Sequence, residues 1–139
     1  MQKTFTILKP DTVKAGKAGA VISELEKAGF RVRAMKMLHL SEKQAQGFYH
    51  VHKERPFFGS LVAFMTEGPI VAMVLEADNA IEKLRKVMGA TDPGKADAGT
   101  IRADFAASID ANAVHGSDAA ETAATEVAFF FPGLDLHSR

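Results

Sequence analysis

The chain contains no cysteine. Disulfide staples and thiolate-bound metals are therefore excluded. Its formal net charge is zero, whereas a protein that binds duplex nucleic acid usually shows a basic excess. No specific nucleic-acid partner is expected. No apolar run is long enough to cross a bilayer, so no membrane partner is expected either. Lys3, Thr4, Thr6 and Lys9 interrupt any apolar core of a secretory leader. These features read as a cytoplasmic protein. The charge is unevenly spread: residues 1–69 hold 11 Lys/Arg against 6 Asp/Glu, and residues 70–139 hold 6 against 11. The basic half reads either as local phosphate contacts or as solvated surface.

What is present fits a single domain over residues 1–139. A chain of this length buries about two-thirds of its unfolded surface on folding. An apolar fraction of 47% beside 24% charged residues places it among soluble globular proteins.

Periodicity gives the elements. Residues 4–8 are rich in β-formers and read as a strand, ended by Lys9-Pro10-Asp11. Ala18, Val21, Ile22, Leu25 and Ala28 follow helical spacing, with Gly29 as the stop. Residues 31–40 read as a half-buried strand in which Lys36 interrupts the apolar side. Ser41 caps a helix over residues 42–52, and Arg55-Pro56 separates it from another over residues 57–66. Residues 70–75 are an unbroken apolar run, the mark of a central strand or one covered on both faces. Asp78 caps a helix carrying Ala80, Ile81, Leu84, Val87 and Met88, closed by Gly89. Residues 100–105 give one or two helical turns. An Ala-rich helix follows residue 118, and Phe129-Phe130-Phe131 reads as a short last strand.

Alternating strands and helices over four strands imply a mixed α/β layer fold. A split βαβ arrangement with an antiparallel sheet under helices is one solution.

The richest segment is Asn112-Ala113-Val114-His115-Gly116-Ser117-Asp118. Asp118 and Glu121 have the spacing of a capping box, which puts His115 just before a helix N-terminus. Such an end favours anions. Gly116 reads as a permissive turn position. An imidazole there serves as a nucleophile toward phosphorus, as a general base, or simply as a cap-region histidine.

Three patterns are decoys. Residues 89–96 nearly match the phosphate loop GxxxxGK[ST], but Ala96 replaces the hydroxyl that binds Mg²⁺, and a helix precedes the loop instead of a strand. Gly16-Lys17-Ala18-Gly19 matches the GxxG of an RNA-binding module, yet follows a strand. His50 and His52 are two apart on a helix and do not share a face.

The histidine segment resembles the active-site motif of nucleoside diphosphate kinases. The resemblance extends to Thr6-Ile7-Leu8-Lys9-Pro10-Asp11, Arg55-Pro56-Phe57-Phe58, Gly89-Ala90-Thr91-Asp92-Pro93 and Gly99-Thr100-Ile101-Arg102, in the family's order and over almost the whole chain. It implies an α/β (α+β sandwich) fold, with a ferredoxin-like four-stranded antiparallel sheet and helices packed on it. It implies transfer of the γ-phosphoryl of a nucleoside triphosphate, typically ATP, to a nucleoside diphosphate through a phosphohistidine at His115. By the same resemblance Lys9, Arg85, Thr91 and Arg102 contact phosphates. Phe57 stacks on the base with little base selectivity, and Asn112 contacts the sugar. Tyr49 and Ser117 complete the site, and Glu126 orients the imidazole. Mg²⁺ is implied as the cofactor, held mainly by nucleotide phosphates and water rather than by protein ligands. A homo-oligomer, dimer-based and tetrameric or hexameric, is implied too. The tail over residues 134–139 is short beside the C-terminal segment that many family members carry. A regulatory nucleotide-binding domain and a nucleic-acid-binding module are the competing readings.

Overall fold

The computed structural model describes residues 1–138. A four-stranded sheet organises them, in the order β2-β3-β1-β4. Strand β1 (Gln2–Leu8) and strand β3 (Ile70–Ala77) are central, and β2 (Arg31–Leu38) and β4 (Val114–Gly116) lie at the edges. Every neighbouring pair is antiparallel. Helices α1 (Pro10–Lys14) and α2 (Ala18–Lys27) link β1 to β2, and α3 (Glu42–Phe48) and α4 (Phe58–Met65) link β2 to β3. Helices α5 (Ala80–Met88) and α6 (Ile101–Phe105) precede β4, and α7 (Ala120–Phe130) follows it.

Both faces of the sheet are covered, which explains the unbroken apolar run of β3. Val71, Met73 and Leu75 face one core with Val21 and Leu25 of α2 and Leu84 and Met88 of α5. Ile70, Ala72 and Val74 alternate into a second core with Ala45, Val62, Met65, Phe130 and Phe131. Phe5 and Ile7 of β1 enter this second core, where Phe5 stacks on Phe130 at 5.3 Å between ring centroids.

Lys36 sits on the inner side of β2 without cost to the pattern. Its ammonium donates to the Phe130 carbonyl at 2.6 Å and lies 4.8 Å over the Phe131 ring, so its stem packs while its charge is satisfied. A bulge between Val32 and Ala34 adjusts the register of the strand.

Five local expectations are corrected. Phe129 and Phe130 belong to the last turn of α7 rather than to a strand; a continuous helical run from Ala120 outweighs the β-propensity of three phenylalanines. The fourth strand is instead β4, three residues long. The cap of α7 lies one residue beyond Asp118: the Thr122 hydroxyl accepts from the Ala119 N–H at 3.0 Å and donates to Asp118 at 2.6 Å, and Glu121 takes no part. The N-cap of α5 is Asn79, in the left-handed region at φ 51°, not Asp78. Lys9-Pro10-Asp11 does not merely end β1 but opens α1, because proline fits the first helical position. Ser41 does cap α3, reciprocally with Gln44.

Candidate active site

His115 lies in edge strand β4, opposite Ile7 of β1. Alternation along β4 sends Val114 and Gly116 toward α5 and turns His115 toward α3 and α7. Gly116 is needed for close approach rather than for a turn. A Cβ there would meet Met88 Sδ at 2.5 Å and Leu84 Cδ2 at 3.0 Å. The Thr6 hydroxyl donates to the His115 carbonyl at 2.6 Å and fixes the backbone.

The chain then folds back. Helix α7 crosses β1 and brings Glu126 to the imidazole, with Nε2 2.9 Å from Glu126 Oε1. The same carboxylate oxygen accepts from the Ser117 hydroxyl at 2.7 Å. Against an ionised carboxylate, which only accepts, Nε2 is the donor, and in the neutral imidazole the lone pair then lies on Nδ1. Nδ1 has no hydrogen-bond partner among the described residues. The rings of Phe48, Phe5 and Tyr49 stand edge-on to the imidazole at 5.5, 6.2 and 6.2 Å and fix its plane. The Tyr49 hydroxyl is buried without a partner. Burial, and then the Glu126 charge, push its pKa well above the usual phenol range, so it remains a protonated donor.

Two open clefts are lined by other expected site residues, and His115, Tyr49, Ser117 and Glu126 line neither. One, of about 600 Å³, is lined by Arg85, Gly89, Thr91, Lys95, Thr100 and Arg102 among others. The second, of about 490 Å³, is lined by Lys9, Phe57, Leu61, Phe64, Thr91 and Ile109 among others. Thr91 borders both, so a basic compartment adjoins an apolar one. Phosphates suit the first and a planar base the second. Phe57 is 43% exposed, a wall of the cleft rather than a core residue.

The loop between the clefts is tightly braced. Lys9 Nζ donates to Asn112 Oδ1 at 2.7 Å, and Asn112 Nδ2 reaches the Thr91 carbonyl at 3.4 Å. Burial, and then the Arg102 charge, lower the Lys9 pKa to about 8, against the opposing pull of Asp11. Arg102 is buried, and its guanidinium donates to the carbonyls of Asn112, Gly89 and Val114 at 3.3, 3.1 and 2.9 Å. Burial, and then Arg85, lower its pKa to about 10, so it is still cationic at neutral pH. Arg85 is exposed and donates no side-chain hydrogen bond among the described residues. Between Asn112 and Val114 the chain makes a three-residue turn, closed by Val114 N–H to the Asn112 carbonyl at 2.8 Å, with Ala113 at φ 73°. A positive φ costs an alanine roughly 1–3 kcal/mol.

The expected site residues thus form three linked groups. His115, Ser117, Tyr49 and Glu126 make one; Lys9, Asn112 and Arg102 make the second; Arg85, Thr91 and Phe57 line the clefts. Asp118 joins them electrostatically: its carboxyl is lowered by the Thr122 hydrogen bond first, and further by Arg85 and His115. Leu61 and Phe64 read as core from their helical spacing with Phe57, and Ile109, in the loop after α6, carries no periodic signal at all. Residues 93–95 form a single 3₁₀ turn, and no phosphate-loop helix follows.

The nucleoside diphosphate kinase family model matches residues 2–136. The chain belongs to the nucleoside diphosphate kinase family. It is 60% identical over 139 residues to the nucleoside diphosphate kinase of Delftia acidovorans, covering all of this chain and 99% of that one. The Thiobacillus denitrificans relative is 59% identical over 138 residues, 99% of this chain and 97% of that one. Among solved structures, the Aquifex aeolicus nucleoside diphosphate kinase superposes with a TM-score of 0.95 at 40% identity, over 97% and 98% of the two chains. The Halobacterium salinarum enzyme, solved in complex with CDP, gives 0.95 at 37% identity over 99% and 92%. Like these nucleoside diphosphate kinases, the chain is a phosphotransferase acting on nucleoside tri- and diphosphates.

Proposed function

We propose that this single domain over residues 1–139 moves the phosphoryl group through His115, by attack of Nδ1. The supporting observation is the Nε2 contact to Glu126 at 2.9 Å, which leaves Nδ1 as the free nucleophile. The Nδ1 lone pair forms a bond to the γ-phosphorus while the bond to the β–γ bridging oxygen breaks. The diphosphate leaves with that electron pair. No proton need move, since Nε2–H stays on Glu126, whose charge stabilises the imidazolium of the phosphohistidine. A second diphosphate then attacks the same phosphorus and restores the imidazole. One site serves donor and acceptor in turn, with ping-pong kinetics.

The nucleotide lies across both clefts in this reading. Its base packs on Phe57 against Leu61 and Phe64, and stacking contributes about 1–3 kcal/mol with little preference among bases. Asn112 and Lys9 meet the sugar and phosphates, and Arg85, Thr91 and Arg102 hold the phosphate chain. Ser117 holds the carboxylate of the histidine–glutamate pair, and Tyr49 packs its ring edge-on against the imidazole and offers its hydroxyl as a donor. Among the described residues no three His, Cys, Asp or Glu side chains converge as a metal cage. The cationic lining suits Mg²⁺ that enters on the nucleotide, held by phosphate oxygens and water. When bound, the ion neutralises phosphate charge.

The exposed Met35 and Met37 on edge strand β2 support self-association, dimer-based and extending to a tetramer or hexamer. No described helix is long and apolar enough to cross a membrane. We place the enzyme in the cytoplasm, with the nucleotide pool.

The test is incubation with γ-labelled ATP and Mg²⁺ and no acceptor. An acid-labile, alkali-stable label on His115 is expected, discharged by GDP. Nucleotide binding without any such label would overturn the phosphohistidine route.

A further inference from the structure

Ala113 is the strained residue of the site loop, and its two peptide groups are held by the first turn of α1 and by Lys9 just before it. Its N–H donates to Asp11 Oδ2 at 3.1 Å. Its carbonyl accepts from the Thr12 hydroxyl at 2.9 Å and from the Lys9 N–H at 2.8 Å. Asp11 and Thr12 lie in the first turn of α1, more than a hundred residues away in sequence. Thr12 is buried, and the second Asp11 oxygen is buried without a partner. Asp11 as a whole is half-buried, and the one hydrogen bond of its carboxylate among the described residues goes to Ala113.

The turn has a consequence on each side. Before it, the Asn112 side chain meets Lys9. After it, β4 begins at Val114 in register with Leu8, which places His115 opposite Ile7. If Ala113 relaxed to the ordinary negative φ, the Val114 N–H would leave the Asn112 carbonyl and β4 would start differently. With only three residues, β4 has little pairing to resist that change. The imidazole would then lose its alignment with Glu126 and its open Nδ1 edge.

We infer that Asp11 and Thr12 are positioning residues for the nucleophile: they lock Ala113 in its positive-φ turn and thereby set the place of His115. This inference rests on the phosphohistidine reading above.

Glycine adopts positive φ without penalty, which supplies the test. Asp11→Ala should slow phosphorylation of His115 by ATP at least tenfold in rapid quench. The dissociation constant for a nucleoside diphosphate, measured at about pH 6.5 where Lys9 stays charged in both proteins, should change much less than the phosphorylation rate. The His115 ring ¹⁵N shifts should move, reporting a changed Nε2–H bond. Adding Ala113→Gly to Asp11→Ala should recover most of the rate and return the shifts toward the parent values. Glycine relieves the backbone strain whatever the role, so urea midpoints are measured alongside, and rates and ring shifts are compared where every variant is fully folded. A rate loss that merely tracks the unfolded fraction overturns the inference. If Asp11→Ala does not fold, Thr12→Val, isosteric but without the hydroxyl, carries the same comparison. Parent-like labelling of the single variants overturns the inference while leaving the phosphohistidine reading intact. A slowed variant that Ala113→Gly does not restore overturns it as well. A parent protein that never becomes labelled overturns both.

Discussion

Glu126 Oε1 sits 2.9 Å from Nε2 of His115, although the two residues are eleven apart in sequence and belong to different elements. Hydrogen bonds to a charged partner contribute about 1.5–3 kcal/mol. In the proposed route much of that acts when the imidazole gains positive charge. Glu126→Gln keeps the shape and removes the charge. We expect His115 phosphorylation to slow by about 10–100-fold, since 1.4 kcal/mol is tenfold. Nucleotide affinity should change little. Single-turnover quench measurements on both proteins check this, and an unchanged rate would remove Glu126 from the mechanism.

That pair also shows what the chain reveals before folding. Helices α2 and α5 are legible because their apolar residues recur at the helical period over 9–10 positions, and β3 because six apolar residues run unbroken. Strand β4 is not, since three residues give no period. The eleven-residue gap from His115 to Glu126 is too long for one helix, at about 1.5 Å per residue. It closes only because a β-strand, a turn and α7 fold back over β1. Gly116 was legible as a special position but not for its reason, which is the Met88 sulfur from another element. The motif residues themselves were legible through resemblance. Thr6 and Asp11 fall within a resembling segment and Thr12 just after it, but that they brace the histidine loop shows only once the sheet pairs β1 with β4.

Lys9 gives a pH prediction. Its pKa is lowered to about 8, chiefly by burial and then by Arg102. A charged lysine is therefore less favoured in the folded protein than in the unfolded chain. Between about pH 8 and its ordinary value near 10.5 the unfolded state binds more protons, so this penalty lessens as pH rises. Ligand binding has the opposite sense, because a nucleotide phosphate needs the ammonium form. Affinity for a nucleoside diphosphate should fall above about pH 8, by up to about tenfold per unit. Calorimetric titrations from pH 6.5 to 9.5 would show the break in the parent protein. The Lys9→Met variant should bind more weakly and lack it.

Gly116→Ala tests the packing of β4 on α5. The new methyl would collide with Met88, whose side chain is enclosed in the core. Overpacking of this kind costs about 1–3 kcal/mol. The urea midpoint should drop accordingly, and Met88→Ala should offset part of the clash in the double variant. A destabilisation of the double variant equal to the sum of the singles would mean that the two side chains do not interact.

The two arginines should separate by what else they hold. Arg102 fixes three backbone carbonyls, those of Gly89, Asn112 and Val114, from a buried position. Arg102→Ala removes a donor from each of those carbonyls, of which that of Asn112 keeps only the Val114 N–H among the described residues, and empties the space between two loops. A loss of about 2–4 kcal/mol is expected, together with loss of turnover. Arg85 stands exposed at the rim of the basic cleft and fixes no backbone group among the described residues. Arg85→Ala should leave the urea midpoint within about 0.5 kcal/mol of the parent while turnover falls by at least tenfold. It also relieves the like charge that lowers the Arg102 pKa. If Arg85→Ala proves as destabilising as Arg102→Ala, Arg85 has a structural partner, and assigning it to phosphate alone is wrong. If Arg102→Ala stays fully stable, the three carbonyl contacts do not brace the loop, and direct phosphate binding must account for its whole effect on turnover.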